Sequence, residues 1–113
     1  MAQPETNVSN AIRRRLGGPK MDGTGGLRCI TVKMHGSAYT RKGFPDLLVV
    51  RPDGVTVYLE VKVPGRTDGP EGDGLSPLQL RWQRELAKRG AIVGHADSIE
   101  SALEVVFPEG PPA

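Results

Sequence analysis

Residues 43–63 read GFPDLLVVRPDGVTVYLEVKV, and the fold prediction starts from them. Two runs rich in valine and leucine, residues 44–50 and 55–63, lie on either side of Pro52, Asp53 and Gly54, which are residue types typical of a tight turn. The sequence therefore predicts a β-hairpin of two largely buried strands in the middle of the chain.

The length of the turn decides which residues of the hairpin lie opposite each other. With a three-residue loop, Arg51 pairs with Val55 and Asp46 lies opposite Glu60, whereas a two-residue loop would shift the pairing and separate the two carboxylates. Lys62 follows Glu60 by two residues and therefore lies on the same face. The other face is apolar and is the predicted core side: Leu47, Val49, Val57, Leu59 and Val61.

Two carboxylates directly across a sheet repel each other, and a divalent cation is an economical compensation. Oxygen ligands suit Mg²⁺ or Mn²⁺, which polarise a phosphoryl oxygen and supply a hydroxide-like nucleophile. Lys62 adds a positive charge that can position the attacking water or stabilise the transition state. The pattern suits hydrolysis of a phosphodiester, although Glu60 and Lys62 on an exposed strand face can also be read as solvated charges.

The composition is that of one globular domain, residues 1–113, with 15 glycines and 10 prolines. No apolar run reaches the ~18 residues of a membrane span, and the N-terminus lacks an apolar signal sequence. The single Cys29 cannot form an internal disulfide, and neither it nor His35 and His95 shows zinc-ligand spacing. We expect a cytoplasmic protein without structural zinc.

The net charge is only +2, but it is unevenly distributed. Residues 1–45 hold eight Lys and Arg against two Asp and Glu, and residues 46–113 hold seven against eleven. A basic first part is compatible with a polyanion such as nucleic acid, and equally with an ordinary solvated surface.

Outside the hairpin, helices alternate with strands. Apolar periodicity and capping residues predict a helix at 4–16, a strand at 27–34, a strand at 91–95, a last helix between Ser98 and Pro108, and a tail at 108–113. With the helix that follows the hairpin, the order is α-β-β-β-α-β-α, which indicates an α/β sheet with helices packed against it.

The segment after the hairpin predicts a loop and then a well-capped helix. Residues 64–75 are rich in glycine and predict a flexible loop near the site. Ser76 is the expected N-cap of the helix, Gln79 completes a capping box, and Gly90 ends the helix. The expected staple is Leu75 with Leu80, and the expected buried face is Leu78, Trp82 and Leu86.

The hairpin residues carry a resemblance to a known family. Pro45-Asp46 followed by Glu60-Val61-Lys62 resembles the PD-(D/E)XK nuclease motif, and residues 43–49 with Leu75-Ser76-Pro77-Leu78-Gln79 resemble its VRR-NUC branch. That branch includes small stand-alone nucleases of bacteria and phages, related to Holliday-junction resolvases. The resemblance runs from about residue 5 to 106 and implies a restriction-endonuclease-like αβββαβ core, a mixed sheet flanked by helices, with an extra C-terminal helix. One departure is that the tripeptide Val-Arg-Arg occurs nowhere in the chain.

The resemblance also implies roles for individual residues. Asp46 and Glu60 would be metal ligands, with the backbone carbonyl of Val61 as a third oxygen, and Lys62 would be the catalytic lysine. Glu5 resembles an acidic residue near the metal, and the helix dipole is the alternative explanation of its place in a first turn. Gln79 matches a glutamine at the site, with the capping box as its alternative.

The implied function is a metal-dependent DNA endonuclease that uses Mg²⁺ or Mn²⁺. The resemblance favours a homodimer and a four-way junction, other branched DNA or duplex DNA as substrate. Weaker candidates for phosphate contacts are Lys33, Tyr39, Arg41 and Lys42, together with Arg13, Arg14 and Arg15. Neither a P-loop nor a dinucleotide fingerprint is present, so no nucleotide cofactor is expected. The alternatives are a non-catalytic nucleic-acid-binding module on the same fold and a small interaction protein.

Overall fold

The computed structural model describes residues 5–18, 25–34 and 42–112. In chain order, the elements are α1 (Glu5–Gly17), β1 (Ile30–Lys33), β2 (Leu47–Val50), β3 (Thr56–Val61), α2 (Pro77–Lys88), β4 (Ile92–Ala96) and α3 (Ile99–Val106). The element order predicted from the sequence is therefore confirmed over these residues, and the architecture is a mixed α/β sheet with helices. None of the helices in these ranges is long and apolar enough to cross a membrane.

The four strands lie in the order β1-β2-β3-β4. β2 pairs antiparallel with both β1 and β3, and β4 pairs parallel with β3 because α2 carries the chain back across the sheet. Leu47 faces Leu59 and Val50 faces Thr56, which is the register expected for a three-residue loop. Arg51 N donates to Val55 O at 2.8 Å and closes the turn, where Gly54 has a φ of +86°.

The core lies between one face of the sheet and helices α1 and α3. Its fully buried side chains include Ile12, Leu16, Leu47, Val49, Val57, Leu59, Val61 and Val106. Gly94 permits close packing of β4 on α3, since a Cβ there would lie 2.7 Å from Val105 Cγ1. This apolar layer holds the hairpin and leaves its polar residues at one end of the sheet.

The strand predicted at 27–34 is shorter than expected. Arg28 adopts a φ of +64°, a left-handed conformation that interrupts an extended chain, and β1 begins only at Ile30. No local pattern predicts this conformation, since arginine is not a residue that favours such a backbone.

The prediction of Leu78, Trp82 and Leu86 as the buried face of α2 is wrong. Leu78 is 37% exposed, Trp82 and Leu86 are half-buried, and Leu80 is the buried apolar residue of this helix. The reason is that α2 lies outside the core layer and contacts the edge strand β4. The staple residues Leu75 and Leu80 are both buried, as expected.

The aromatic side chains explain the position of α2. Phe44, in the segment before β2, packs edge-on against Tyr58 and against Trp82, with ring centroids 5.8 Å and 5.2 Å apart. Trp82 Nε1 donates to the backbone carbonyl of Lys42 at 3.0 Å. Trp82 is thus an anchor between α2 and the segment that leads to Asp46, and not a core residue.

Residues 64–75 form a series of hydrogen-bonded turns. Gly74 N donates to Asp68 O at 2.7 Å, and the Arg66 guanidinium binds the Asp68 carboxylate. Glu71 forms an ion pair with Arg84 of α2. The flexibility of this loop stays a prediction.

Candidate active site

Asp46 and Glu60 lie side by side at the end of the β2–β3 pair that is distant from the turn. Asp46 directly precedes β2, and Glu60 lies in β3 next to Leu59, the partner of Leu47. Both carboxylic acids are buried, with 8% and 2% of their surface exposed. Asp46 Oδ2 accepts a hydrogen bond from Val61 N at 3.1 Å, so the backbone of β3 fixes this side chain in the site.

Glu5 completes an acidic cluster. It lies in the first turn of α1, and one carboxylate oxygen from each of Glu5, Asp46 and Glu60 can be chosen so that all three atoms lie within 4.8 Å of one another. The cluster joins residues separated by up to 55 positions in the chain, from helix α1, the segment directly before β2, and strand β3. Such a convergence of oxygen atoms is the kind of ligand set that hard divalent cations bind.

The close approach of these acids changes the proton affinity of Glu60. Burial, a hydrogen bond with Asp46 and the Asp46 charge, in that order, raise the pKa of Glu60 from 4.5 to about 10. The charge of Lys62 opposes the rise, and the charge of Glu5 adds to it. Without a bound cation, Glu60 therefore keeps its proton at neutral pH, next to Asp46.

Lys62 is buried and held by α2. Its backbone N–H donates to Ala96 O at 2.8 Å, which extends the β3–β4 ladder, and 5% of the residue is exposed. Its Nζ donates to Gln79 Oε1 at 2.7 Å. The same oxygen accepts the Ser76 N–H at 2.8 Å, as the capping box requires. One atom of Gln79, Oε1, therefore both completes the capping box of α2 and accepts the hydrogen bond from Lys62.

Val61 offers a further oxygen on the same side. Its N–H points to Asp46, and in a β-strand the N–H and C=O of one residue point to the same neighbour. Its carbonyl is therefore directed toward the Asp46 side of β3, as the family resemblance implies.

The weaker candidates for phosphate contacts that the structure describes lie outside the acidic cluster. Lys33 is exposed at the end of β1, next to Met34, whose N–H donates to Asp46 O at 2.6 Å. Lys42 is exposed beside Trp82. Arg13 Nε donates to Thr31 Oγ1 at 3.3 Å, which gives this arginine a structural contact. Tyr39 and Arg41 lie outside the described residues, and so does His35.

The structure adds residues to the site that the sequence reasoning did not find. His95 lies opposite Glu60 in the parallel β3–β4 pair, with Nε2 3.9 Å from Asp73 Oδ2. An open cleft of about 240 Å³ beside Lys62 is lined by these residues together with Arg66, Asp97 and Ser101. The only signal in the sequence was the predicted strand at 91–95, because its register against β3 depends on the long crossover through α2.

The mixed sheet thus carries two buried carboxylic acids and a buried lysine at one end. The family model of the VRR-NUC domain matches residues 32–100, and this chain belongs to that family. A solved structure described as a VRR_NUC domain is 29% identical, with a TM-score of 0.66, over 90% of this chain and 92% of that one. A search of curated proteins gives no match. The family assignment holds although the tripeptide Val-Arg-Arg is absent.

The pKa of Glu60 predicts how stability depends on pH in the absence of divalent cations. Its pKa is about 10 in the folded chain, against an ordinary value of 4.5, so the folded state keeps a proton that the unfolded state loses. This contribution to the free energy of unfolding is complete below about pH 4.5 and is lost as the pH rises toward 10. We expect Glu60→Gln to flatten the fall in stability between about pH 6 and 9, as measured by denaturant unfolding in EDTA.

Glu104→Gln is the matched control, since Glu104 is exposed on α3, and it should keep the wild-type slope. An equal slope for Glu60→Gln and wild type would contradict the raised pKa of Glu60 in the folded chain.

Proposed function

We propose that this chain is a metal-dependent DNA endonuclease that hydrolyses phosphodiester bonds with Mg²⁺ or Mn²⁺. The observation that carries the proposal is the convergence of Asp46, Glu60 and Glu5 within 4.8 Å, with Lys62 buried beside them. Membership of a nuclease-type family supports the reaction class.

The acidic cluster fits a hard divalent cation. All its donors are oxygens, and Mg²⁺ and Mn²⁺ usually take one or two carboxylates, with water and phosphate oxygens at the other positions. Asp46 and Glu60 would hold the ion, with the Val61 carbonyl and Glu5 as further oxygens. When bound, such an ion supplies an activated water and stabilises charge on the phosphate.

Lys62, held by Gln79, can position the scissile phosphate or the attacking water. The ammonium group of Lys62 has three N–H donors, and one of them is fixed on Gln79 Oε1. The others can donate to a phosphate oxygen or to the attacking water. Because the group is held before substrate arrives, its charge stabilises the negative charge that develops in the transition state without further reorganisation.

A non-catalytic nucleic-acid-binding module is the second candidate. Glu60 and Asp46 are only 2% and 8% exposed, and burying two carboxylic acids lowers the stability of the fold. Binding of DNA phosphates does not require such a pair. This cost favours the enzyme over the module.

Cleavage in the presence of Mg²⁺ or Mn²⁺ tests the proposal. Purified protein should nick or cut labelled DNA with either ion and not in EDTA, and Lys62→Ala should lower the rate at least ~100-fold because the transition-state charge loses its partner. DNA affinity, measured in EDTA, should change little. The readout is the rate of product formation on denaturing gels.

Asp46→Asn should abolish cleavage and also the rise in melting temperature that Mn²⁺ causes, whereas Glu104→Gln should keep both. Wild-type protein that binds DNA and cuts it under no metal condition would overturn the enzyme in favour of the binding module. A protein with no salt-dependent DNA binding at all would be an interaction protein.

Because Gln79 Oε1 both caps α2 and holds Lys62, variants of the cap should separate an effect on the cleavage rate from an effect on the free energy of unfolding. Ser76→Ala and Gln79→Ala should each cost about 1 kcal/mol of unfolding free energy, since both break the cap. Only Gln79→Ala also releases Lys62, so we expect its kcat to fall about tenfold or more while KM stays nearly unchanged.

Gln79→Glu keeps an acceptor for both Ser76 N and Lys62 Nζ, and it should restore most of the stability and of the rate. If Ser76→Ala and Gln79→Ala slow cleavage equally, Gln79 has only a structural role.

We further propose a homodimer that prefers four-way junctions or other branched DNA. A domain with one site cuts two strands most simply as a symmetric pair. Sedimentation velocity should give a mass of twice 12.1 kDa. When junction, flap, duplex and single-stranded DNA are supplied at equal concentration, the junction should be cut fastest. A monomer that cuts all four at equal rates would contradict both statements.

A further inference from the structure

Helix α2 carries an open groove on the side that faces away from the core. The groove has a volume of about 590 Å³ and is lined by Leu78, Arg81, Trp82, Glu85, Leu86 and Arg89. These residues recur at helical spacing along one face of α2, and we call this surface the α2 groove. Apolar and charged side chains alternate along it, and two of the three charged ones are arginines.

The α2 groove begins at the candidate active site. Leu78 directly precedes Gln79, whose Oε1 holds Lys62. Leu78 also packs against the segment that leads to Asp46, since a Cβ on Gly43 would lie 2.7 Å from Leu78 Cγ. From residue 78 to 89 the helix rises about 16 Å, which is several nucleotides of a DNA strand.

The charge of α2 contrasts with the charge of the chain around it. Residues 46–113 contain seven Lys and Arg against eleven Asp and Glu, and four of the seven basic residues lie within positions 81–89. Glu85 is the acidic residue of this segment, and Arg89 and then Lys88 hold the pKa of its carboxyl below the usual range. The segment 81–89 is therefore basic, whereas residues 46–113 as a whole carry a net negative charge.

The apolar part of the groove is rigidly placed. Trp82 is fixed by its hydrogen bond to Lys42 O and by the edge-on contact with Phe44. Leu78 is 37% exposed next to it. A fixed aromatic ring between basic side chains is what proteins offer to a nucleic-acid strand, because the ring contacts sugars and bases while the cations contact phosphates.

We propose that the α2 groove binds the DNA strand on one side of the scissile phosphate. Arg81 and Arg89 contact phosphates of this strand, and Leu78 and Trp82 contact its sugars and bases. This inference rests on the proposed function for the position of the scissile phosphate. It extends that function by assigning a substrate surface to residues outside the acidic cluster.

Trp82 provides a direct probe, because it is the one tryptophan in the chain. In EDTA, where no cleavage is expected, titration with duplex or junction DNA should change the Trp82 emission. The midpoint should coincide with that of fluorescence anisotropy of the labelled DNA. DNA binding that leaves the Trp82 emission unchanged would overturn the inference.

The salt dependence of affinity tests the two arginines. For the double variant Arg81→Gln/Arg89→Gln, the slope of log affinity against log salt should become shallower by about two, and affinity at low salt should fall roughly tenfold. Glu85→Gln should tighten binding, since it removes an anion from the path of the phosphates. Arg84→Gln is the matched control, because Arg84 lies on the same helix, does not line the groove and pairs with Glu71.

The outcomes separate this inference from the proposed function. If the double variant binds DNA like wild type while wild type cuts DNA, the groove assignment fails and the endonuclease stands. If wild type binds DNA through Trp82 and never cuts it, the endonuclease fails, and the α2 groove keeps its DNA strand but loses its assignment to one side of a scissile phosphate. A double variant that converts a dimer to a monomer without changing the salt slope would make the groove an interface between copies, and this result also overturns the inference.

Discussion

The structure depends on two carboxylic acids that are buried side by side at the end of a hairpin. Burial of like-charged groups is unfavourable, and the raised pKa of Glu60 is the measure of that cost. The apolar face of the same hairpin offsets it, because Leu47, Val49 and Leu59 are fully buried against α1 and α3. The strands cannot slip by one residue to separate the acids, since a slip would expose this apolar face. The fold therefore keeps in place a pair of groups that would otherwise move apart.

The first turns of two helices complete this site. The first turn of α1 places Glu5 near the acids, and the first turn of α2 places Gln79 on Lys62. In α2 the capping interaction and the contact with the lysine use the same oxygen, so the start of the helix and the orientation of the ammonium group are one structural feature. The remainder of α2 then leads away from the site as a basic and partly apolar surface. One helix thus links the reacting end of the site to the surface that we assign to the substrate strand.

The sequence predicted those features that are determined locally. The turn at 52–54 set the register that places Asp46 next to Glu60, and the Ser76 cap set the start of α2. Features that depend on distant packing were not predictable. Trp82 has the spacing of a core residue, but α2 contacts β4 at the sheet edge and leaves one side of the helix open. His95 lies beside Glu60 only because β4 pairs with β3 in a register that the crossover determines. Strand β1 is short because Arg28 has a left-handed backbone conformation, which no residue pattern predicts.

We propose that Asp46 and Glu60 jointly hold one divalent cation. A crystal structure of the protein soaked in Mn²⁺, with anomalous diffraction measured near the manganese absorption edge, tests this most directly. We expect an anomalous peak about 2.2 Å from a carboxylate oxygen of each residue, on the Val61 carbonyl side of the cluster. A peak at another place, or well-ordered side chains of Asp46 and Glu60 without a peak at millimolar Mn²⁺, would contradict it.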